Sequence, residues 1–403
     1  MKRHQIIIII LLAISTNVYG QAVRKYSNEF LKIGVGARYL GLGSSLSSSK
    51  GDPMSVFYNP AALATVEQTS IGAMHNSYFA GIANFDYAGL AIPIKNDQAI
   101  GFSLIRLGID NIPNTIDLYN PDGTINYDNI KSFSISDMAG YISFAKSAVR
   151  KEGLSFGGSA KIIHRNYGSF ATAWGFGLDV GAQYISDNFQ IGAFAQDIST
   201  TFSTWSFSFT DREKEVLRAT NNEIPNSSSE ITLPAIHFGG QYTYKIAKEK
   251  IHLIPIGKIT LYTDQRNVLI SGPVSVDLSL GLESKFLDVA YLRLGVNNFT
   301  KALNGLGEEY TSVVPSLGVG VKLDQFDIDY SYNNIANTGI GLYSHVFSGV
   351  YRFPTKVKKN SPIIMPPAPN IDPVLDKDFD TDIMKGTIAP KSSDPKKNAG
   401  DNK

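Results

Sequence analysis

The chain of 403 residues contains no cysteine. That removes a disulfide framework, a thiolate metal site and the lipid-acceptor thiol of a lipoprotein. It also lacks an excess of either charge: 37 Lys and Arg stand against 36 Asp and Glu. A nucleic-acid binder carries a basic footprint, and none is present. Beyond the first twenty residues no apolar run reaches the roughly 20 positions that a transmembrane helix needs. If such a chain lies in a membrane it crosses as a closed barrel, because backbone groups in lipid must find their partners within the protein.

Motifs that carry chemistry are equally scarce. "GLSFGGSAK" lacks the Gly-Lys-Ser/Thr ending of a phosphate loop and sits inside a strand pattern. "GVGARYLGLG" breaks the dinucleotide fingerprint at Tyr39 and follows no strand. His75, His164, His237, His252 and His345 are scattered without metal-ligand spacing. The sequence therefore predicts no enzyme, no cofactor and no metal site.

What is present starts with an export signal. Lys2 and Arg3 precede an apolar core from Ile6 to Ile14, and Val18-Tyr19-Gly20 gives a small-residue cleavage pattern. Residues 1–20 are read as a signal peptide, with the mature chain starting at Gln21.

From Thr69 onward apolar and polar residues alternate in segment after segment. In "AWGFGLDVGAQY" Trp174, Phe176, Leu178, Val180, Ala182 and Tyr184 share one face, against Gly175, Gly177, Asp179, Gly181 and Gln183. In "FDIDYSY" Phe326, Ile328, Tyr330 and Tyr332 oppose Asp327, Asp329 and Ser331. "VSVDLSLGLE" repeats the pattern, with Val274 to Leu282 against Ser275, Asp277, Ser279, Gly281 and Glu283. The strands number about fourteen, within the range of bacterial transmembrane barrels. Lys161, Arg165, Asp179, Asp277, Glu283, Arg293, Lys322, Asp327 and Asp329 then form a polar lumen.

The connections sharpen the reading. Short ones are expected near Asn96, Arg150, Asp187, Lys248, Asp288 and Asp324. Long ones are expected between them: Asn111 to Ser132, Asp197 to Glu230, Asp264 to Pro273 and Asn298 to Ser312. Strict alternation of short turns and long loops is the pattern of an outer-membrane barrel with both termini on the periplasmic side. Within Asp197 to Glu230, "DREKEVLRATNN" has the composition of a short polar helix. The fold class predicted is all-β: a transmembrane antiparallel barrel over residues 69–353, with a segment 21–68 before it and a tail 354–403 after it.

That preceding segment, "LKIGVGARYLGLGSSLSSSKGDPMSVFYNPAALA", resembles the N-terminal signature of the PorV/PorQ family of Bacteroidetes outer-membrane proteins, part of the wider FadL-like barrels. The resemblance rests on Gly36-Ala37-Arg38, Gly41, Gly43, Asp52, Tyr58, Asn59, Pro60, Ala61 and Leu63. The end of the barrel, "GLYSHVFSGVYRF", looks like the family's closing strand, with His345, Phe347, Tyr351 and Phe353. The resemblance implies a fourteen-stranded barrel with a small hatch inside it. Asn59-Pro60-Ala61 is then a fixed turn of that hatch, and its glycines bring backbone close to the wall.

The tail departs from a simple barrel. Its Pro, Lys and Asp content and its lack of periodicity predict disorder. Asp376, Asp378, Asp380 and Asp382 stand on alternate residues, as in a calcium loop, but without the glycine and distal glutamate of an EF-hand. Ile363-Ile364-Met365 and Val374-Leu375 are short apolar patches suited to a periplasmic partner.

The resemblance implies a non-enzymatic component of type IX secretion, in the outer membrane of a Gram-negative cell, binding cargo or secretion machinery. The alternative is a FadL-like channel for hydrophobic small molecules. That channel needs an apolar lumen pocket and a lateral exit, and the inward faces read above are small and charged.

Overall fold

Alternation builds the wall. The computed structural model describes residues 27–95, 97–120, 122–148, 152–225, 227–333 and 343–354. The signal peptide and nearly all of the tail, with its aspartates and apolar patches, lie outside the described residues. Fourteen antiparallel strands close on themselves. They are β1 (Ser70–Tyr78), β2 (Ala83–Lys95), β3 (Gln98–Asn114), β4 (Lys131–Ser147), β5 (Leu154–Tyr167) and β6 (Ala171–Ile185). Next come β7 (Phe189–Gln196 and Thr201–Phe207), β8 (Ser227–Thr232, Ala235–Tyr242 and Tyr244–Ile246) and β9 (Ile251–Tyr262). The circuit ends with β10 (Ser275–Phe286), β11 (Ala290–Leu303), β12 (Glu309–Lys322), β13 (Phe326–Asn333) and β14 (Ser344–Arg352). Pairing of Ser70 with Arg352 and of Ser77 with His345 closes the ring and leaves no edge exposed.

The faces follow the pattern read from sequence. Trp174, Phe176, Leu178 and Val180 are exposed on the outside, as are Phe326, Ile328 and Tyr332. Their neighbours Asp179, Ser279, Glu283 and Ser331 are buried inside. An apolar exterior over a polar interior defines a barrel of the outer-membrane type. No helix among the described residues is long and apolar enough to cross a membrane.

The alternation of short turns and long loops is not strict. β1 and β2 are joined by residues 79–82, and β5 and β6 by 168–170, at the end where long loops were expected. Positive φ at Phe79, Ala80, Gly81 and Gly168 makes those turns tight. Parts of two expected loops are paired strand instead: β3 and β4 stay together to Asn114↔Lys131, leaving residues 115–130 as the loop, and β11 and β12 to Leu303↔Glu309. One register shift in each pair, at Ile109/Ile112 and at Asn297/Thr300, absorbs the break in alternation. Asp197 to Glu230 also holds strand, pairing Thr201 with Thr232, and a polar helix α1 (Asp211–Ala219). Thr210 and Glu213 cap that helix reciprocally.

Residues 27–68 fill the lumen as short helical turns, among them Ala37–Gly41 and Ser55–Tyr58. They begin at the long-loop end, where Arg266 pairs with Glu29 at 2.8 Å and the Ser27 hydroxyl meets Thr232. They finish at the short-turn end, where Thr69 accepts a hydrogen bond from the Phe353 amide. The segment therefore runs the depth of the barrel. The placement of both termini on one side depends on residues outside those described.

One expectation is corrected. The inward faces of β2 to β5 are not small and charged throughout: Phe85, Tyr87, Ile105, Tyr141 and Ile163 are buried there. They form one core with Phe30, Leu31, Val35, Tyr39 and Leu40 of the inner segment. Alternation alone does not tell which apolar residues have a plug to pack on.

Candidate functional site

The motif residues come together as one hydrogen-bonded frame. The Asp52 carboxylate accepts from the Met54 and Ser55 amides, each at 2.8 Å, and from the Tyr39 hydroxyl at 3.1 Å. The Tyr58 hydroxyl donates to the Val35 carbonyl at 2.9 Å and accepts from the Val35 amide at 3.0 Å. The Tyr58 ring stacks on Tyr39 with centroids 4.4 Å apart. Asn59 is extended and caps the turn Pro60–Thr65, its Oδ1 accepting from the Ala61 amide at 3.1 Å. Pro60 stands where a turn has no use for an N–H. Burial raises the Asp52 carboxyl above its usual range, against the pull of Arg38.

The other half of Asn59 reaches the barrel. Its Nδ2 donates to the Ser47 carbonyl at 2.8 Å and to the Ala182 carbonyl of β6 at 3.1 Å, with Ala193 of β7 at 3.5 Å. This approach needs a wall without side chains. A Cβ at Gly239 would stand 2.7 Å from Ser47 Oγ, and one at Gly157 would stand 2.5 Å from the Pro60 carbonyl carbon. Gly157 and Gly181 lie in register across β5 and β6, and Gly192 and Gly239 across β7 and β8, so the thin strip crosses four strands.

On the lipid side of the same strip lies an apolar recess of about 600 Å³. Tyr184, Ile191, Phe238, Ile259 and Leu278 line it, and Ala182, Ala193 and Gly257 leave it room. Ala182 and Ala193 thus border the recess on one face and offer carbonyls to Asn59 on the other.

The short-turn end of the lumen has the opposite character. A polar cavity of about 590 Å³ opens there beneath the inner segment. Arg38 grips Glu283 through two bonds of 3.1 Å, and Arg293 ties Glu283 at 2.7 Å to Asp329 at 2.6 Å. Arg352 pairs with Asp327 close by. Charges predicted to face the lumen do so here; Arg38 and Arg352 complete their pairs and were not foreseen as partners.

His345, Phe347, Tyr351 and Phe353 belong to a different place. Phe347 is exposed on the outer wall, Tyr351 and Phe353 pack edge to face at 5.0 Å, and His345 meets the Tyr330 hydroxyl at 2.7 Å. They form part of the outer surface at the closure, apart from the inner frame. No cluster of possible metal ligands occurs among the described residues.

No family model matches the chain, and no curated protein does. Solved structures do. A Pseudomonas aeruginosa FadL homologue is 13% identical, with a TM-score of 0.47 over 79% of this chain and 98% of that one. The Pseudomonas putida toluene transporter TodX is 14% identical, with a TM-score of 0.47 over 80% and 99%. The Ralstonia pickettii toluene transporter TbuX is 12% identical, with a TM-score of 0.48 over the same shares. Likeness at this level carries no argument about function. The class rests on its own wall: an outer-membrane β-barrel filled by its N-terminal segment.

Proposed function

We propose that the protein is a non-enzymatic conduit that passes small hydrophobic molecules sideways into the lipid, the FadL-like alternative of the sequence reading. The observation that carries this is the strip where Asn59 holds the inside of the wall and an apolar recess faces it outside. An apolar solute gains nothing from the ion-paired cavity at the short-turn end, since leaving apolar surroundings for charged ones costs about 25 cal/mol per Å² of apolar surface. The route through β6 to β8 avoids that cost. With the short turns toward the periplasm, the solute enters from outside and leaves in the bilayer.

The test is uptake of an apolar fluorophore by proteoliposomes. Ala193→Trp fills the recess and is expected to slow uptake several-fold while the barrel stays heat-modifiable; an unchanged rate counts against the reading. The PorV/PorQ resemblance carries the other expectation, a secretion-system partner. Its support is the hatch motif Asp52 to Ala61, and the tail that would meet a periplasmic partner lies outside the described residues.

A further inference from the structure

The wall is interrupted once at matching heights on two neighbouring strands, directly above the Asn59 contact. β7 stops at Gln196 and resumes at Thr201, and β8 stops at Thr232 and resumes at Ala235. Four residues, 197–200, therefore face two, Leu233 and Pro234, where ladder pairing resumes at Thr201↔Thr232. Pro234 has no N–H to give to a ladder. Asp197 and Thr200 both have positive φ, so the insertion is a turn built into the wall. Ile198 points outward and is 51% exposed, while Asp197 turns inward and is 4% exposed. On the β6 side the Ile198 amide to the Leu178 carbonyl, at 2.9 Å, and the Leu178 amide to Ser199 Oγ, at 3.1 Å, bridge the gap.

A buried lysine closes it. Lys161 of β5, fully buried, places Nζ 2.8 Å from Asp179 and 2.7 Å from Asp197. The Asp197 amide donates back to Asp179 at 2.7 Å, and the Thr201 hydroxyl donates to Asp197. Gly177 leaves the lysine its path, since a Cβ there would come within 2.7 Å of Lys161 Cε. One cation thus holds a carboxylate of the inserted turn to a carboxylate of the neighbouring strand β6. If the pairing is released, those carboxylates repel, and the inserted turn is left to its bonds with Leu178 of β6.

We infer that Lys161, Asp179 and Asp197 are the latch of a side window, and that residues 197–200 are its moving part. The inference rests on the sideways route proposed above and names the opening that route uses. The closed latch is the state described, and an apolar solute passes when residues 197–200 swing toward the lipid.

The absence of cysteine makes the test clean. Leu178→Cys with Ile198→Cys ties the turn to β6 across the outer face. In proteoliposomes, oxidation is expected to reduce uptake of the apolar fluorophore at least tenfold, and reduction to restore it. Lys161→Met is expected to act the other way. An apolar maleimide supplied from the bilayer should then label Ser203→Cys, on the inner face above the window, at least tenfold faster, with Lys161→Arg restoring the slow rate. If Lys161→Met fails to fold, the cysteine pair alone decides. Uptake unchanged by oxidation, while Ala193→Trp still slows it, overturns the latch and leaves the conduit standing. Uptake unchanged by both overturns the conduit itself.

Discussion

The inner segment meets two kinds of wall. Toward β2 to β5 it packs on large side chains: Phe57 meets Tyr141 edge to face at 6.4 Å, the Tyr87 hydroxyl donates to the Pro53 carbonyl, and Phe85 is buried in the same core. Toward β6 to β8 it meets glycine and backbone, and hydrogen bonds from Asn59 and to Gln183 hold it there. Apolar contact is non-directional and sums over area, whereas a few hydrogen bonds are directional and individually small. One side anchors the segment and the other can be let go. The recess lies behind the side that can be let go.

That contrast ranks the expected effects. Phe85→Ala attacks the anchor and leaves a buried cavity, at about 3–5 kcal/mol for such a truncation. Limited proteolysis of residues 27–68 should rise steeply, and part of the protein should fail to assemble. Asn59→Ala attacks only the releasable side, where two bonds to carbonyls and a turn cap are lost, about 1–3 kcal/mol. Cleavage between Gly34 and Ala64 should increase while unboiled and boiled samples still migrate differently on a denaturing gel. Loss of the barrel in Asn59→Ala would place the motif in assembly and erase the contrast.

The smallest effect is a pH dependence. Burial raises Asp52, so its contribution to the folded segment is fully present below the ordinary carboxylate range and is lost as pH rises through the raised value. Protease resistance of residues 27–68 should therefore decline with rising pH. Asp52→Asn keeps an oxygen for the Met54 and Ser55 amides and should flatten that decline. An equally steep decline in Asp52→Asn would assign the dependence to another group.

Much of this was legible in the sequence because lipid imposes a rule on every strand. Trp174, Phe176 and Leu178 have to be apolar wherever they lie in the circuit, so strand number and facing could be read without partners. The polar helix at Asp211–Ala219 was legible for a local reason, its capping residues and composition. The site was legible only in part. Asn59-Pro60 announced a turn, but its grip on Ala182 depends on glycines of β5 to β8 that read in sequence as ordinary strand positions. Lys161 and Asp179 were assigned inward by parity, whereas Asp197 was read as the start of a loop. The "DISTTFSTWSF" run resumes its alternation at once, which hides the inserted turn between two halves of β7. Arg38 and Glu283 meet only because the inner segment folds back through the lumen, a contact without any local signal.

The claim that the β6 to β8 side is the working side is tested most directly by placing one bulky residue on each side of the barrel. Ala193→Trp fills the recess, and Leu317→Trp adds the same ring to the lipid-facing surface of β12, where Leu317 is already exposed. Uptake of the apolar fluorophore into proteoliposomes is compared at equal amounts of heat-modifiable protein. A several-fold fall for Ala193→Trp with a wild-type rate for Leu317→Trp is the expected result. Equal rates in the two variants would contradict the account.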